Sequence, residues 1–251
     1  MTHSETSTGV INDLETISSY IRAHKTALSI VDCVTSLGAC NVPVDEWELD
    51  IVASGSQKGY MIPPGLSFIA MSQKAWEAAE KSNLPKFYLN LKSYKKSLLS
   101  NSNPYTPAVN LIFALDESLK MMKEEGLDNI FFRHNKHKLA MSNAVKALNL
   151  KLFANEKYLS PSVTAIKTEG MDAEEFRKRI KSNFDILLAG GQDHLKGKIF
   201  RVGHLGYVND RDIVTVISAI SNTLLDLGKI TAQKTGEALF IASKYLEEKL
   251  D

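Results

Sequence analysis

Leu49-Asp50-Ile51-Val52-Ala53-Ser54-Gly55-Ser56-Gln57-Lys58-Gly59-Tyr60-Met61-Ile62-Pro63-Pro64-Gly65 is the stretch that decides how this chain reads. Apolar residues from Leu49 to Ala53 suit a strand, small residues follow, and a Pro-Pro-Gly turn comes shortly after Lys58. Loss of hydration at the end of an apolar strand disfavours an ammonium, so Lys58 is placed to present a nucleophilic amine. Small neighbours let a flat, bulky group approach the backbone. A surface lysine in a Gly/Ser loop accounts for the same stretch equally well.

A second segment tips that balance. Residues 27–32, Ala-Leu-Ser-Ile-Val-Asp, read as a buried strand that ends in a carboxylate. Open α/β sheets place their ligands at the carboxyl ends of parallel strands. Asp32 alone is an ordinary loop-start or N-cap residue. Paired with Lys58 on a nearby strand end, it matches what pyridoxal phosphate requires: an amine for a Schiff base and a carboxylate that keeps the ring nitrogen protonated.

The 251 residues allow one large domain or two modest ones, and 44% hydrophobic with 24% charged residues describes an ordinary globular chain. Thirty basic against 29 acidic side chains leave a net charge of +1, which gives no footprint for nucleic acid or an acidic membrane surface. No apolar run reaches the roughly 18 residues needed to span a bilayer, and the first nine residues lack the basic and apolar regions of a signal peptide. Cys33 and Cys40, without a CxxC spacing, suit a reducing compartment, so a cytoplasmic location is expected.

Along the chain, helical periodicity covers 12–24, and a further buried strand is expected at 66–71 before a helix capped by Ser72. Alternation of strand and helix predicts an α/β sheet. Residues 100–104 are linker-like. Thr106 and Pro107 then suit the N-cap and first position of a long helix bearing Leu111, Ile112, Leu115 and Leu119, which Gly126 ends. Another helix is expected over 127–148. The remainder reads as a small α/β unit with strands near 150–154, 163–168, 186–189 and 198–203 and helices near 172–182, 210–227 and 231–249.

Other candidates have plain explanations beside functional ones. Arg201, on an apolar strand bounded by glycines, either snorkels at a sheet edge or grips a carboxylate with its planar fork. Thr106 is an anion site at a helix start or a simple N-cap. Ser7, Thr8 and Gly9 offer hydroxyls or form a turn. His134 and His137 share a helix face and read as solvated, since no further metal ligands accompany them. The run Gly191 to Ile199 fails as a P-loop, because five residues separate its glycines and Ile199 stands where a Ser or Thr would hold magnesium.

Assembled, the chain resembles the class V aminotransferases, specifically the alanine–glyoxylate, serine–glyoxylate and serine–pyruvate group. Leu49 to Ile69 fits the class V lysine signature, His3-Ser4-Glu5-Thr6-Ser7-Thr8-Gly9 is similar to an HxExSTG segment, Val31 to Gly38 to VDxxxSLG, and Phe200 to Gly206 to FRIGHMG. The resemblance implies a pyridoxal-phosphate-dependent fold of type I, α/β, with a partial large domain over 1–105 and connecting helices plus a small C-terminal domain over 106–251. It implies transamination between serine or alanine and glyoxylate or pyruvate by a homodimer. Lys58 would be the Schiff-base lysine and proton shuttle, and Asp32 the partner of the pyridine nitrogen. Ser7, with Thr8 as helper, would bond the cofactor, and Gln57 would sit by its phosphate. Thr106, and more weakly Tyr105, would reach the phosphate of the neighbouring subunit's cofactor, and Arg201 would bind the substrate carboxylate. Gln57 separates this group from cysteine desulfurases, which carry His before the lysine.

In the family a long N-terminal part precedes the HxExSTG segment and supplies a glycine-rich phosphate loop, an aromatic ring that stacks on the cofactor, and much of the dimer interface. The resemblance therefore implies that about half the cofactor cradle is missing, and that the sheet lacks strands and leaves unpaired edges and apolar surface. The rival reading is a non-catalytic remnant acting as an interaction or assembly protein, since some relatives carry the name soluble hydrogenase small subunit. Two cysteines cannot ligate the clusters that hydrogenase chemistry uses.

Overall fold

The computed structural model describes residues 1–250. It opens with a hairpin, β1 (Ser4–Glu5) and β2 (Val10–Ile11), whose turn needs Gly9 at φ +69°. Helix α1 (Leu14–Ala23) follows, its first turn capped by Asp13, whose carboxylate accepts from the Thr16 amide at 3.1 Å. Next come β3 (Ile30–Asp32), β4 (Ile51–Gly55), β5 (Ser67–Met71) and α2 (Gln73–Lys81), with Ser72 as the cap of α2. β3 runs parallel to β4 with Asp32 opposite Ala53, and β4 pairs antiparallel with β5. Leu14, Val31, Cys33, Leu49 and Val52 form the core beneath this three-stranded sheet.

Asp50 fastens the sheet to its flanks. Its buried carboxylate accepts from the Ser29 amide at 2.9 Å and the Ser72 hydroxyl at 2.8 Å, and it pairs with Lys74 at 3.7 Å. Buried acceptors need such partners, because each unmet one costs the desolvation of the group.

Helices α3 (Leu91–Leu99), α4 (Val109–Glu125) and α5 (Leu127–Ala147) lead to the second sheet. That sheet holds β6 (Lys151–Leu152), β7 (Val163–Lys167), β8 (Ala189–Gly190) and β9 (Ile199–Gly203) in the antiparallel order β6-β7-β9-β8. It packs with α5, α6 (Ala173–Phe184), α7 (Asp210–Asp226) and α8 (Ala232–Leu246) around the main core, where Phe176 and Phe200 stack with centroids 5.1 Å apart. The N-terminal hairpin docks on this lobe: the Ser160 amide donates to the Gly9 carbonyl at 2.9 Å, and the Ser4 and Ser160 hydroxyls meet at 2.8 Å.

Several expectations need correction. The strand expected over 27–32 spans only 30–32, and the Ile30 side chain is 58% exposed although residues 1–3 bond along the edge of β3. β5 is likewise exposed along much of its length rather than buried. Helix α4 starts at Val109 with Ala108 at its N-cap. The Val109 amide bonds the Pro107 carbonyl, bending the chain before the helix begins, so Thr106 is exposed and caps nothing. Helix α3 was not expected, although Leu91, Tyr94 and Leu98 recur on it at helical spacing; none of its residues is buried. Among the described residues no helix is long and apolar enough to cross a membrane.

Candidate active site

Lys58 stands at the exit of β4, in a loop whose backbone is fixed on every side. The buried Ser56 hydroxyl donates to the Pro63 carbonyl at 2.8 Å and accepts from the Leu66 amide at 3.1 Å, drawing the ends of the loop together. The Met61 amide closes a turn on the Lys58 carbonyl at 2.9 Å. Next to Lys58, a methyl on Gly59 would overlap the Leu37 carbonyl, and a methyl on Gly206 would come to 3.3 Å from the Lys58 carbonyl. Glycine is therefore required at both contacts. The lysine is half-buried, and its amine has no hydrogen-bond or ion-pair partner among the described residues.

Lys58 opens onto a cleft of about 270 Å³ between the two sheets, lined by Thr6, Thr35, Gln57, Ser162, Val163, Ala189, Arg201, Gly203 and Leu205. Arg201 enters from β9, an interior strand, and is 7% exposed, which excludes snorkelling at an edge. Its Nε donates to the Gly190 carbonyl at 2.8 Å and its Nη1 to the Thr6 carbonyl at 2.8 Å. Nη2 has no partner among the described residues. Burial, reinforced by nearby Arg177, lowers its pKa from the ordinary arginine value while Glu5 opposes this, and the group stays charged at neutral pH.

Ser7 is tied to Glu5: its amide and hydroxyl both donate to one Glu5 carboxylate oxygen, at 2.8 and 2.6 Å. Those bonds, followed by the charge of Arg201, hold the Glu5 carboxyl below its usual pKa against a smaller opposing effect of burial. The Thr8 hydroxyl reaches only the Glu5 carbonyl at 3.5 Å. Neither hydroxyl lines the cleft, whereas their neighbour Thr6 does. Asp32 sits exposed at the carboxyl end of β3, one oxygen accepting from the Val34 amide at 2.9 Å.

Tyr105 and Thr106 lie apart from the cleft. The Tyr105 hydroxyl donates to the Phe87 carbonyl at 3.0 Å, and its ring joins Phe87, Tyr88 and Tyr94 in an aromatic cluster. Thr35 and Ser162 were missed by sequence reasoning. Thr35 lies within the VDxxxSLG-like segment and was legible there, whereas Ser162 carries no motif signal.

His134 and His137 are fully buried, which corrects their reading as a solvated face. They face the loop between β9 and α7 and the first residue of α7, so their surroundings come from residues some 70 positions away. His137 Nε2 donates to Asp210 at 2.8 Å. Burial lowers the pKa of His134 to about 4 and that of His204, which bonds Thr164 and the Pro161 carbonyl, to about 3. Among the described residues no group of three or more His, Cys, Asp or Glu is placed to hold a metal ion.

An unpartnered amine, a buried guanidinium with a free donor, and a carboxylate on the adjacent parallel strand end form a donor set that fits pyridoxal phosphate and the carboxylate of an amino acid. Comparisons with known proteins give the family. The aminotransferase class-V family model matches residues 1–208. A soluble hydrogenase small subunit from a Synechococcus species is 56% identical over 98% of this chain and 64% of its own length. A serine–glyoxylate aminotransferase from Methylorubrum extorquens is 37% identical over 98% of this chain and 63% of its own length. The crystal structure of a ureidoglycine–glyoxylate aminotransferase from Bacillus subtilis superposes with a TM-score of 0.89 at 32% identity, covering 97% of this chain and 64% of that one. The chain thus spans less than two thirds of the length of these relatives. By its sequence match and by its fold, this chain belongs to the class V aminotransferase family.

Proposed function

We propose that this chain carries the lysine side of a pyridoxal phosphate site and that the complete site moves an amino group between serine or alanine and glyoxylate or pyruvate. The observation that carries the proposal is the meeting of Lys58 and Arg201 in one cleft although 143 residues separate them in sequence.

When bound, the cofactor supplies an electron sink for charge developing at the substrate Cα. Lys58 anchors the cofactor and moves the proton at Cα, since its amine is not committed to any other group. Asp32 holds a proton at the ring nitrogen. Arg201, with two donors bound to backbone carbonyls, directs Nη2 to the substrate carboxylate and orients Cα toward Lys58. Gln57 lies toward the cofactor's phosphate, and Ser7 and Thr8, whose hydroxyls face Glu5 rather than the cleft, would have to turn from Glu5 to bond the cofactor. Tyr105 and Thr106, distant from the cleft in one copy, serve the site of a second copy in a homodimer.

The test is glycine formation from glyoxylate with serine, alanine or no donor, in the presence of the cofactor. Donor-dependent glycine that vanishes in Lys58→Ala supports the proposal. A folded, cofactor-loaded protein that makes no product from any pairing of these donors with glyoxylate or pyruvate contradicts it and favours the non-catalytic assembly reading.

A further inference from the structure

Two consecutive residues of α5 hold one glycine of the β9–α7 loop from both ends of its backbone. Arg133 Nη1 donates to the Gly206 carbonyl at 2.9 Å and to the Val208 carbonyl at 3.0 Å. Its Nε and Nη2 form a fork on Glu125, at 2.6 and 2.9 Å, which fixes the plane of the guanidinium. His134 Nε2 accepts the Gly206 N–H at 3.1 Å, while its Nδ1 donates to the Ile130 carbonyl at 2.7 Å. The two bonds of His134 demand one neutral tautomer, and burial, which lowers its pKa to about 4, keeps it in that state.

Gly206 is the loop residue packed on Lys58. At φ +85°, a methyl there would lie 3.3 Å from the Lys58 carbonyl and 3.2 Å from Met61 Cγ. The same loop continues β9, which carries Arg201, and its start is pinned where the His204 amide donates to the Ser162 carbonyl at 2.9 Å. A shift of Gly206 therefore changes the separation of the Lys58 backbone from the Arg201 fork.

We propose that Arg133 and His134 are positioning residues that clasp Gly206 against the Lys58 backbone and so set the distance between the Lys58 amine and Arg201. The clasp rests on the reading of Lys58 and Arg201 as site residues only for its catalytic consequence, because its geometry needs no cofactor.

The test uses the full chain without cofactor. Hydrogen exchange of segments 56–62 and 204–208, and the rate at which acetic anhydride labels Lys58 relative to exposed Lys229, are compared in wild type, Arg133→Met, His134→Leu, His134→Gln and Glu125→Gln. The Met and Leu variants are expected to raise exchange in both segments at least tenfold and to change the relative labelling of Lys58, with β7 unaffected. His134→Gln, which keeps an acceptor, should restore most of the protection. Unchanged exchange at 56–62 and unchanged labelling in both variants would overturn the proposal. If either variant fails to fold, Glu125→Gln decides: a smaller rise confined to the two segments supports the clasp, and no rise overturns it. Failure of Lys58 to couple to pyridoxal phosphate would sink the functional reading while these cofactor-free results still stood.

Discussion

Arg201 reaches from β9 to the carbonyl of Thr6, 195 residues earlier in the chain, and donates to it at 2.8 Å. This bond ties the second sheet to the N-terminal hairpin and fixes the plane of the guanidinium. Thr6 is held in turn by its hydroxyl on Thr35 at 3.2 Å, so the fork is braced from both sides of the cleft.

Arg201→Lys keeps the charge and loses the brace, since a lysine cannot bond two carbonyls and still present a donor to the cleft. A charge-assisted hydrogen bond contributes about 1.5–3 kcal/mol, so the variant should weaken binding of a carboxylate substrate by about ten- to a hundredfold. Titration with glyoxylate reads this directly. Equal affinity would mean that Arg201 serves only to join the lobes.

Two glycines should respond with opposite signs. Gly59→Ala forces a methyl into the Leu37 carbonyl beside Lys58 and should lower stability by about 1–3 kcal/mol or more, because backbone must move. Gly236, inside α8 with open space around it, should gain about 0.5–1 kcal/mol as alanine. Urea midpoints of the two variants check both signs, and a neutral Gly59→Ala would show that the Lys58 loop is not wedged.

Acid should unfold the protein through its buried histidines. Burial lowers the pKa of His3 and His134 to about 4 and that of His204 to about 3, while in the unfolded chain each binds its proton near 6.5. Between those values the unfolded state holds more protons, so stability is full above about pH 6.5 and falls as the pH drops toward 4. Each of these histidines contributes roughly 1.4 kcal/mol per pH unit across its window. Denaturant midpoints from pH 7.5 to 4.5 should be flat at first and then decline steeply. A flat profile throughout would contradict the neutral, buried state on which the His134 contact to Gly206 depends.

Much of the candidate site was legible because its residues stand in short contiguous segments. Lys58 follows its strand within a few residues, Asp32 ends its own, and Arg201 stands alone among apolar neighbours, so local pattern singled out all three as candidates while leaving a plain reading open for each. What escaped depends on pairing at a distance. Nothing near His134 announces Gly206, and nothing near Thr106 announces that the Pro107 carbonyl takes the Val109 amide and delays the helix. The exposure of Ile30 was hidden for the same reason. Its apolar run looks like an interior strand, and only the three-stranded sheet reveals an uncovered face. Helix α3 does carry a periodic trace in Leu91, Tyr94 and Leu98, but it is only nine residues long and buries none of them.

On the proposed function, Lys58 is the residue to which pyridoxal phosphate couples. Borohydride reduction of the protein mixed with the cofactor, followed by peptide mass mapping, tests it most directly. The expected result is a single dominant pyridoxyl mass on the peptide carrying Lys58 and its disappearance in Lys58→Ala. Labelling spread evenly over surface lysines, or labelling that persists at the same level in Lys58→Ala, would contradict it.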